Sequence, residues 1–158
     1  MEAVSFRFGT VEDAEAIARH RCEMFKEMGT LSEAGSELLY PASVHHFRRE
    51  MADGRYVAWL ACDKNAIVGG GGMQLQTIPP RPGPDRGMLR EGPQGFIVNV
   101  FVERDWRRRG IAKELICRMI SFAKNSGMPV LGLHASDAGR SLYEYLGFSQ
   151  TSEMRLFI

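Results

Sequence analysis

The sequence predicts an α/β (α+β) fold: a mixed, mostly antiparallel, twisted sheet of about six or seven strands with helices on both faces. Three observations lead there. Phe96 to Val102 is apolar, β-branched and aromatic except for Asn99, the pattern of a central strand covered on both sides. Just beyond it Ile111, Leu115, Ile116, Met119, Ile120 and Ala123 recur at helical spacing, with Lys113, Glu114, Arg118 and Lys124 on the other faces. Around this strand and helix the apolar pattern is strand-rich at first, then alternates strand and helix, which suits helices on both sides of one sheet.

Length and composition bound the rest. A chain of 158 residues reads as one domain, 1–158, able to bury about two thirds of its unfolded surface. Its 44% apolar and 25% charged content is ordinary for a globular protein. A formal charge of +1 gives no global field toward nucleic acid or an anionic membrane. The cysteines, Cys22, Cys62 and Cys117, are odd in number and widely spaced, so they read as core thiols rather than a disulfide framework. With no signal-like start and no bilayer-length apolar run, the expected location is cytoplasmic.

Taken in order, Val4, Phe6 and Phe8 alternate with polar residues as a first strand. Thr10 with Asp13 forms a shortened capping box for a helix carrying Ala14, Ile17, Ala18, Phe25 and Met28 on one stripe and stopping at Gly29. Leu31 to Pro41 reads as a loop or a short helical turn, followed by a helix over 42–53 capped by Ser43. Tyr56–Cys62 and the segment from Ala66 form a hairpin around Asp63-Lys64-Asn65. Gly69 to Gly72 interrupt its second strand. Without a following Lys-Ser/Thr or helix, they indicate close backbone approach or a bulge rather than a phosphate cradle. Residues 79–94, with five of the seven prolines, form a long excursion. Beyond the central helix, Val130–His134 is a strand, 138–146 a helix ending at Gly147, and Phe148 onward and Met154–Ile158 two closing strands.

The turn Arg107-Arg108-Arg109-Gly110-Ile111-Ala112 lies where a helix exposes unpaired amides and its positive dipole end. Gly110 lets a ligand approach the backbone, Ala112 keeps the next turn nearly bare, and the arginines add charge. The stretch Val100-Phe-Val-Glu-Arg-Asp-Trp-Arg-Arg-Arg-Gly-Ile-Ala112 resembles the acetyl-CoA-binding motif of the GNAT superfamily of N-acetyltransferases. In that superfamily an Arg/Gln-x-x-Gly-x-Gly/Ala segment after a hydrophobic strand grips the pyrophosphate. Here Arg107, Gly110 and Ala112 stand at those positions, with Arg108, Arg109 and Ile111 between them. Arg104 departs from the proline found in many members. A second segment, Leu142-Tyr-Glu-Tyr-Leu-Gly-Phe148, is similar to the Leu-Tyr-x-x-x-Gly-Phe segment near the end of such domains.

The resemblance implies acetyl-CoA as donor and a primary amine of a small molecule or peptide as acceptor. Tyr143 is then the implied general acid for the departing thiolate. A phenol of pKa about 10 keeps its proton at neutral pH. A fixed backbone N–H around Phe101 and Val102 would stabilise the oxyanion. Ser136 replaces the family's usual asparagine and can still bond a pantetheine amide. Arg140 reaches a cofactor phosphate or faces water. Asn99 stands where some relatives carry glutamate. An amide accepts no proton at neutral pH, so its role is to orient water or substrate, and no general base is identified. Glu23, Glu27 and Glu33 can bind an ammonium group or face solvent. No metal set forms from the histidines and cysteines. A catalytically silent acetyl-CoA-binding module is the alternative function, and nucleic-acid binding through the arginines is weaker. No membrane partner is expected. The C-terminal strand leaves a homodimer open.

Overall fold

The computed structural model describes residues 4–83 and 85–158; Met1 to Ala3 and Pro84 lie outside the described residues. A first strand, β1 (Ser5–Phe8), leads through a 3-10 turn (Val11–Asp13) into α1 (Ala14–Glu27). The Thr10 N–H donates to Asp13 Oδ2 at 2.7 Å, and Gly29 ends the segment at φ 72°. Both ends therefore follow local capping chemistry.

The next helix corrects the sequence reading. In place of a loop to Pro41 and a helix over 42–53, α2 (Glu33–Ala52) runs unbroken through Pro41. Ser32, not Ser43, is its cap, accepting from the Gly35 N–H at 3.0 Å. Ser43 is buried mid-helix. A proline within a helix loses one backbone bond. Packing of α2 along α1 and onto the sheet through Phe47 holds the helix across that gap.

β2 (Tyr56–Asp63) and β3 (Ala66–Thr77) form the expected hairpin, with Lys64 at φ 52° in its turn. β3 runs straight through Gly69 to Gly72, correcting the interruption expected there. A Cβ at Gly72 would lie 2.0 Å from the Tyr56 hydroxyl, and one at Gly71 2.7 Å from Met119 Cε. These glycines admit close neighbours from both sides, as the non-phosphate reading required. The proline-rich excursion carries a small ladder, β4 (Arg81–Pro82) with β5 (Leu89–Arg90).

β6 (Pro93–Val102), α3 (Ile111–Asn125), β7 (Leu131–Leu133) and α4 (Arg140–Tyr145) complete the elements. The main sheet has the order β1-β2-β3-β6-β7, antiparallel except for the parallel β6–β7 pair. It has five strands rather than six or seven. Phe148 packs into the core, but the residues beyond it form no strand, and Met154, Leu156, Phe157 and Ile158 are exposed. A strand pattern alone forms no ladder without an edge to pair with.

α3 covers one face, where Leu115, Ile116 and Met119 meet Trp59, Met73 and Ile97. α1 and α2 cover the other through Ile17 and Phe47 against Tyr56, Ala58 and Leu60. Among the described residues no helix is long and apolar enough to cross a membrane.

Candidate active site

The end of β6 and the start of α3 are joined by a 3-10 turn (Arg104–Trp106) and a bend in which Arg108 (φ 62°) and Gly110 (φ 78°) take left-handed conformations. This turns the chain so that α3 starts with no side chain capping it. The first bond at this end runs from the Glu114 N–H to the Gly110 carbonyl at 3.0 Å. Among the described residues no acceptor takes the N–H groups of Gly110, Ile111, Ala112 or Lys113. Four amides and the positive end of a long helix therefore face outward, where negative charge is stabilised. A Cβ added at Gly110 would meet nothing within 4 Å, so an anion has room.

The three arginines differ in role. Arg107 turns inward: its Nε donates to the Val102 carbonyl at 2.8 Å, its Nη2 to both Glu27 oxygens at 2.9 and 2.8 Å, and its guanidinium lies 5.5 Å from the Phe101 ring centroid. Arg104 donates to the same carboxylate at 3.0 Å. Arg109 donates to the Asp105 carbonyl and covers the Trp106 ring. Arg108 is exposed. Arg107 thus braces the turn: its side chain is committed to Val102 and Glu27 and its own N–H to the Arg104 carbonyl at 3.3 Å, so it stands outside the set of open amides.

β6 and β7 pair only from Gly95–Ile97 to Leu131–Leu133. Beyond Ile97, β6 continues along β3 with its other edge open. The Glu103 N–H donates to the Val68 carbonyl of β3 at 2.9 Å. By alternation Phe101 also bonds toward β3, while Val102 turns its amide and carbonyl to the open side, where the carbonyl accepts from Arg107. Of the two expected donors, Val102 is the one whose N–H faces the opening. Phe101 contributes its buried ring.

Between the Gly70–Phe101 and Gly72–Val98 pairs, Asn99 and Val100 of β6 stand opposite Gly71 alone, a bulge in β6 that holds Asn99 at φ 64°. Its Nδ2 donates to the Ile17 carbonyl of α1 at 3.2 Å, and its Oδ1 has no partner among the described residues. The buried Asn99 amide is thus satisfied on its donor side only among the described residues.

α4 carries Tyr143, half-buried and edge-on to Phe148 with centroids 5.9 Å apart. Burial raises its pKa, and no hydrogen bond occupies its hydroxyl among the described residues. Ser136 Oγ accepts from the Gly139 N–H at 3.3 Å and so shapes the turn into α4. Arg140 is exposed on the first turn. The second tyrosine of α4, Tyr145, accepts from Lys113 Nζ at 3.4 Å, with that ammonium 4.7 Å from its ring centroid. This contact sets the tyrosine helix beside the open amides of α3, so the two sequence motifs meet in space.

Of the candidate glutamates, Glu27 is committed to Arg104 and Arg107, and Lys26 lies between Glu23 at 3.6 Å and Glu33 at 3.1 Å. Sequence reasoning gave no signal for Glu27 as a brace, because its partners lie about 80 residues away. Nor did any local pattern single out His20. The ring is buried, and its Nε2 lies 3.2 Å from both Arg19 Nη2 and Glu103 Oε1. Burial first, then the Arg19 charge, lowers its pKa to about 4. A cavity of about 610 Å³ opens nearby, lined by Glu23, Glu27, Val68, Phe101, Glu103 and Trp106. Its walls include neither Gly110–Lys113 nor Tyr143, so it is separate from the amide end. Among the described residues no group of three or more His, Cys, Asp or Glu could hold a metal ion.

Residues 27–157 match the family model of the acetyltransferase (GNAT) domain. The chain belongs to the GNAT acetyltransferase family. Its fold is similar to a GCN5-related N-acetyltransferase from Ralstonia eutropha JMP134, at 28% identity over 99% of each chain and a TM-score of 0.87. It is also similar in fold to a predicted acetyltransferase from Clostridium acetobutylicum solved with acetyl-CoA, at 23% identity over 99% of this chain and 96% of that one, TM-score 0.82. Among curated proteins, the GCN5-related N-acetyltransferase 4, chloroplastic, of Arabidopsis thaliana is 40% identical over 70 residues. That match spans 41% of this chain and 24% of the relative's length. The GNAT chain therefore has its uncapped amide end, its open β6 edge and its tyrosine helix within one family domain.

Proposed function

We propose that this GNAT chain moves an acetyl group from acetyl-CoA to a primary amine of a small molecule or peptide by direct attack, in a single cytoplasmic domain. The observation that carries the reading is the uncapped start of α3, with four amides unclaimed by acceptors among the described residues. A diphosphate satisfies such amides and the helix dipole together. Acetyl-CoA, when bound, supplies an activated acyl group and a thiol that departs from it.

The chain's own residues divide the remaining work. Gly110, Ile111, Ala112 and Lys113 hold the diphosphate by backbone N–H, Arg108 and Arg109 add charge around it, and Arg107 keeps the turn in shape. Val102 offers its N–H to the acetyl oxygen on the open side of β6, over the buried Phe101 ring. Tyr143 holds a proton for the departing sulfur. Its raised pKa keeps the hydroxyl protonated at neutral pH, as a general acid requires. Asn99 orients the amine, Ser136 stands by the pantetheine arm, and Arg140 lies within reach of a phosphate.

A catalytically silent acetyl-CoA-binding module is the second reading. It is favoured by the absence of a carboxylate at Asn99, whose donor side is tied to Ile17. Calorimetry with acetyl-CoA tests both readings. Saturable binding is expected, and Gly110→Asp, which places volume and negative charge at the amide end, should weaken it at least tenfold. Unaltered affinity in the variant removes the placement. Thiol release with an amine panel separates turnover from silence.

A further inference from the structure

On the surface of the sheet facing α1, three polar groups, two of them buried, have no hydrogen-bond or ion-pair partner among the described residues, where burial normally demands one. Tyr56 is 3% exposed and its hydroxyl has no hydrogen bond. Its ring stacks on Phe47 with centroids 4.9 Å apart, a contact that phenylalanine would make equally well. Asn99 is 6% exposed and its Oδ1 is also unpartnered. Arg21 is half-buried and rests on the Phe25 ring at 4.8 Å, yet it makes no ion pair or hydrogen bond among the described residues. Arg19, Arg48, Arg55, Arg104 and Arg107 each find a carboxylate. Arg21 is thus a partly covered cation with no acid beside it among the described residues.

The three groups belong to one place. The Tyr56 hydroxyl stands over Gly72, where a Cβ would be 2.0 Å away. Gly72 pairs with Val98, the residue before Asn99. Asn99 is bonded to the Ile17 carbonyl, and Arg21 lies one helical turn beyond Ile17 on the same side of α1. Burial pushes the Tyr56 pKa well above its ordinary value, and the Arg21 charge facing it opposes that rise. The set lies along β6 just where β7 has left it.

We propose that Arg21, Tyr56 and the Asn99 side-chain oxygen form the acceptor subsite and select an amine that also carries a carboxylate, the amino-acid class. The guanidinium and the phenol O–H donate to the carboxylate, and the amine donates to Asn99 Oδ1, so each unpartnered group gains a complementary one. Arg21, the most exposed of the three, leaves Phe25 to admit the ligand to the covered Tyr56 hydroxyl. The assignment rests on the acetyl-transfer reading for its role, but not for its binding test.

Calorimetric titration of the intact chain with L-leucine, L-methionine and L-phenylalanine is compared with isoamylamine, 3-(methylthio)propylamine and phenethylamine, which lack the carboxylate. The amino acids should bind at least tenfold more tightly than their paired amines. Arg21→Gln and Tyr56→Phe should each erase most of that preference, and the second keeps the ring that packs on Phe47. Equal affinities, no amino-acid binding, or a preference surviving both substitutions overturns the proposal. A parallel acetyl-CoA titration separates the two readings. Intact acetyl-CoA binding without carboxylate preference removes the subsite alone, whereas amino-acid binding without acetyl-CoA binding removes acetyl transfer alone.

Discussion

Glu27 at the end of α1 and Arg107 before α3 are joined by two hydrogen bonds, of 2.9 and 2.8 Å, across 80 residues of sequence. The same guanidinium holds the Val102 carbonyl, so one side chain ties α1, the end of β6 and the turn before α3 together. The pair is partly exposed, and such pairs contribute about 1 kcal/mol or less to stability. Their effect falls on the shape of the turn. Glu27→Ala should lower the melting temperature by no more than about 4 °C, while weakening acetyl-CoA binding by about threefold or more. Scanning calorimetry and titration of one sample check both parts. A large loss of stability with unchanged affinity would make the pair a fold element only.

Tyr143 is expected to act through its hydroxyl rather than its packing. Phenylalanine at this position retains the edge-on contact with Phe148 and removes only the proton source. Turnover of Tyr143→Phe should fall about 100-fold with acetyl-CoA affinity nearly unchanged. Steady-state thiol release and calorimetry decide the matter, and wild-type turnover would end the general-acid role.

His20 makes stability depend on pH in a defined direction. Its folded pKa, about 4, lies below the ordinary 6.5, so the unfolded chain takes up the proton first. The contribution is complete above pH 6.5 or so and is lost as pH falls from there through about 4, to a maximum of roughly 3 kcal/mol. Urea unfolding at intervals over this range should show that loss for the native chain and a much flatter dependence for His20→Gln. Glu103 and Arg19 face the ring and are retained in both proteins. Parallel curves would assign the dependence to other groups.

The candidate site was legible in sequence where its features are local. An apolar strand, a bare turn and an amphipathic helix over consecutive residues marked the β6–α3 junction, and the open amides stand there. Local signals also misled. Pro41 and Gly35 indicated a break, but packing against α1 carries α2 through both. The pattern of Met154–Ile158 indicated a strand, yet no edge pairs with it. Gly69 to Gly72 were readable as tightly packed, but only the pairing of β3 with β2 and β6 shows that Gly72 makes room for the Tyr56 hydroxyl.

The sequence by itself determined the central strand, the helix that follows it and the uncapped turn between them, because periodicity and capping are set by residues a few positions apart. The tertiary structure alone decided that Arg107 braces against Glu27 rather than facing outward, that Val102 turns its amide to the open edge, and that the buried Tyr56 and Asn99 lie on the side of the sheet that α1 covers, with the half-buried Arg21 on that helix. Those outcomes depend on register and on contacts between distant segments, which no local pattern encodes.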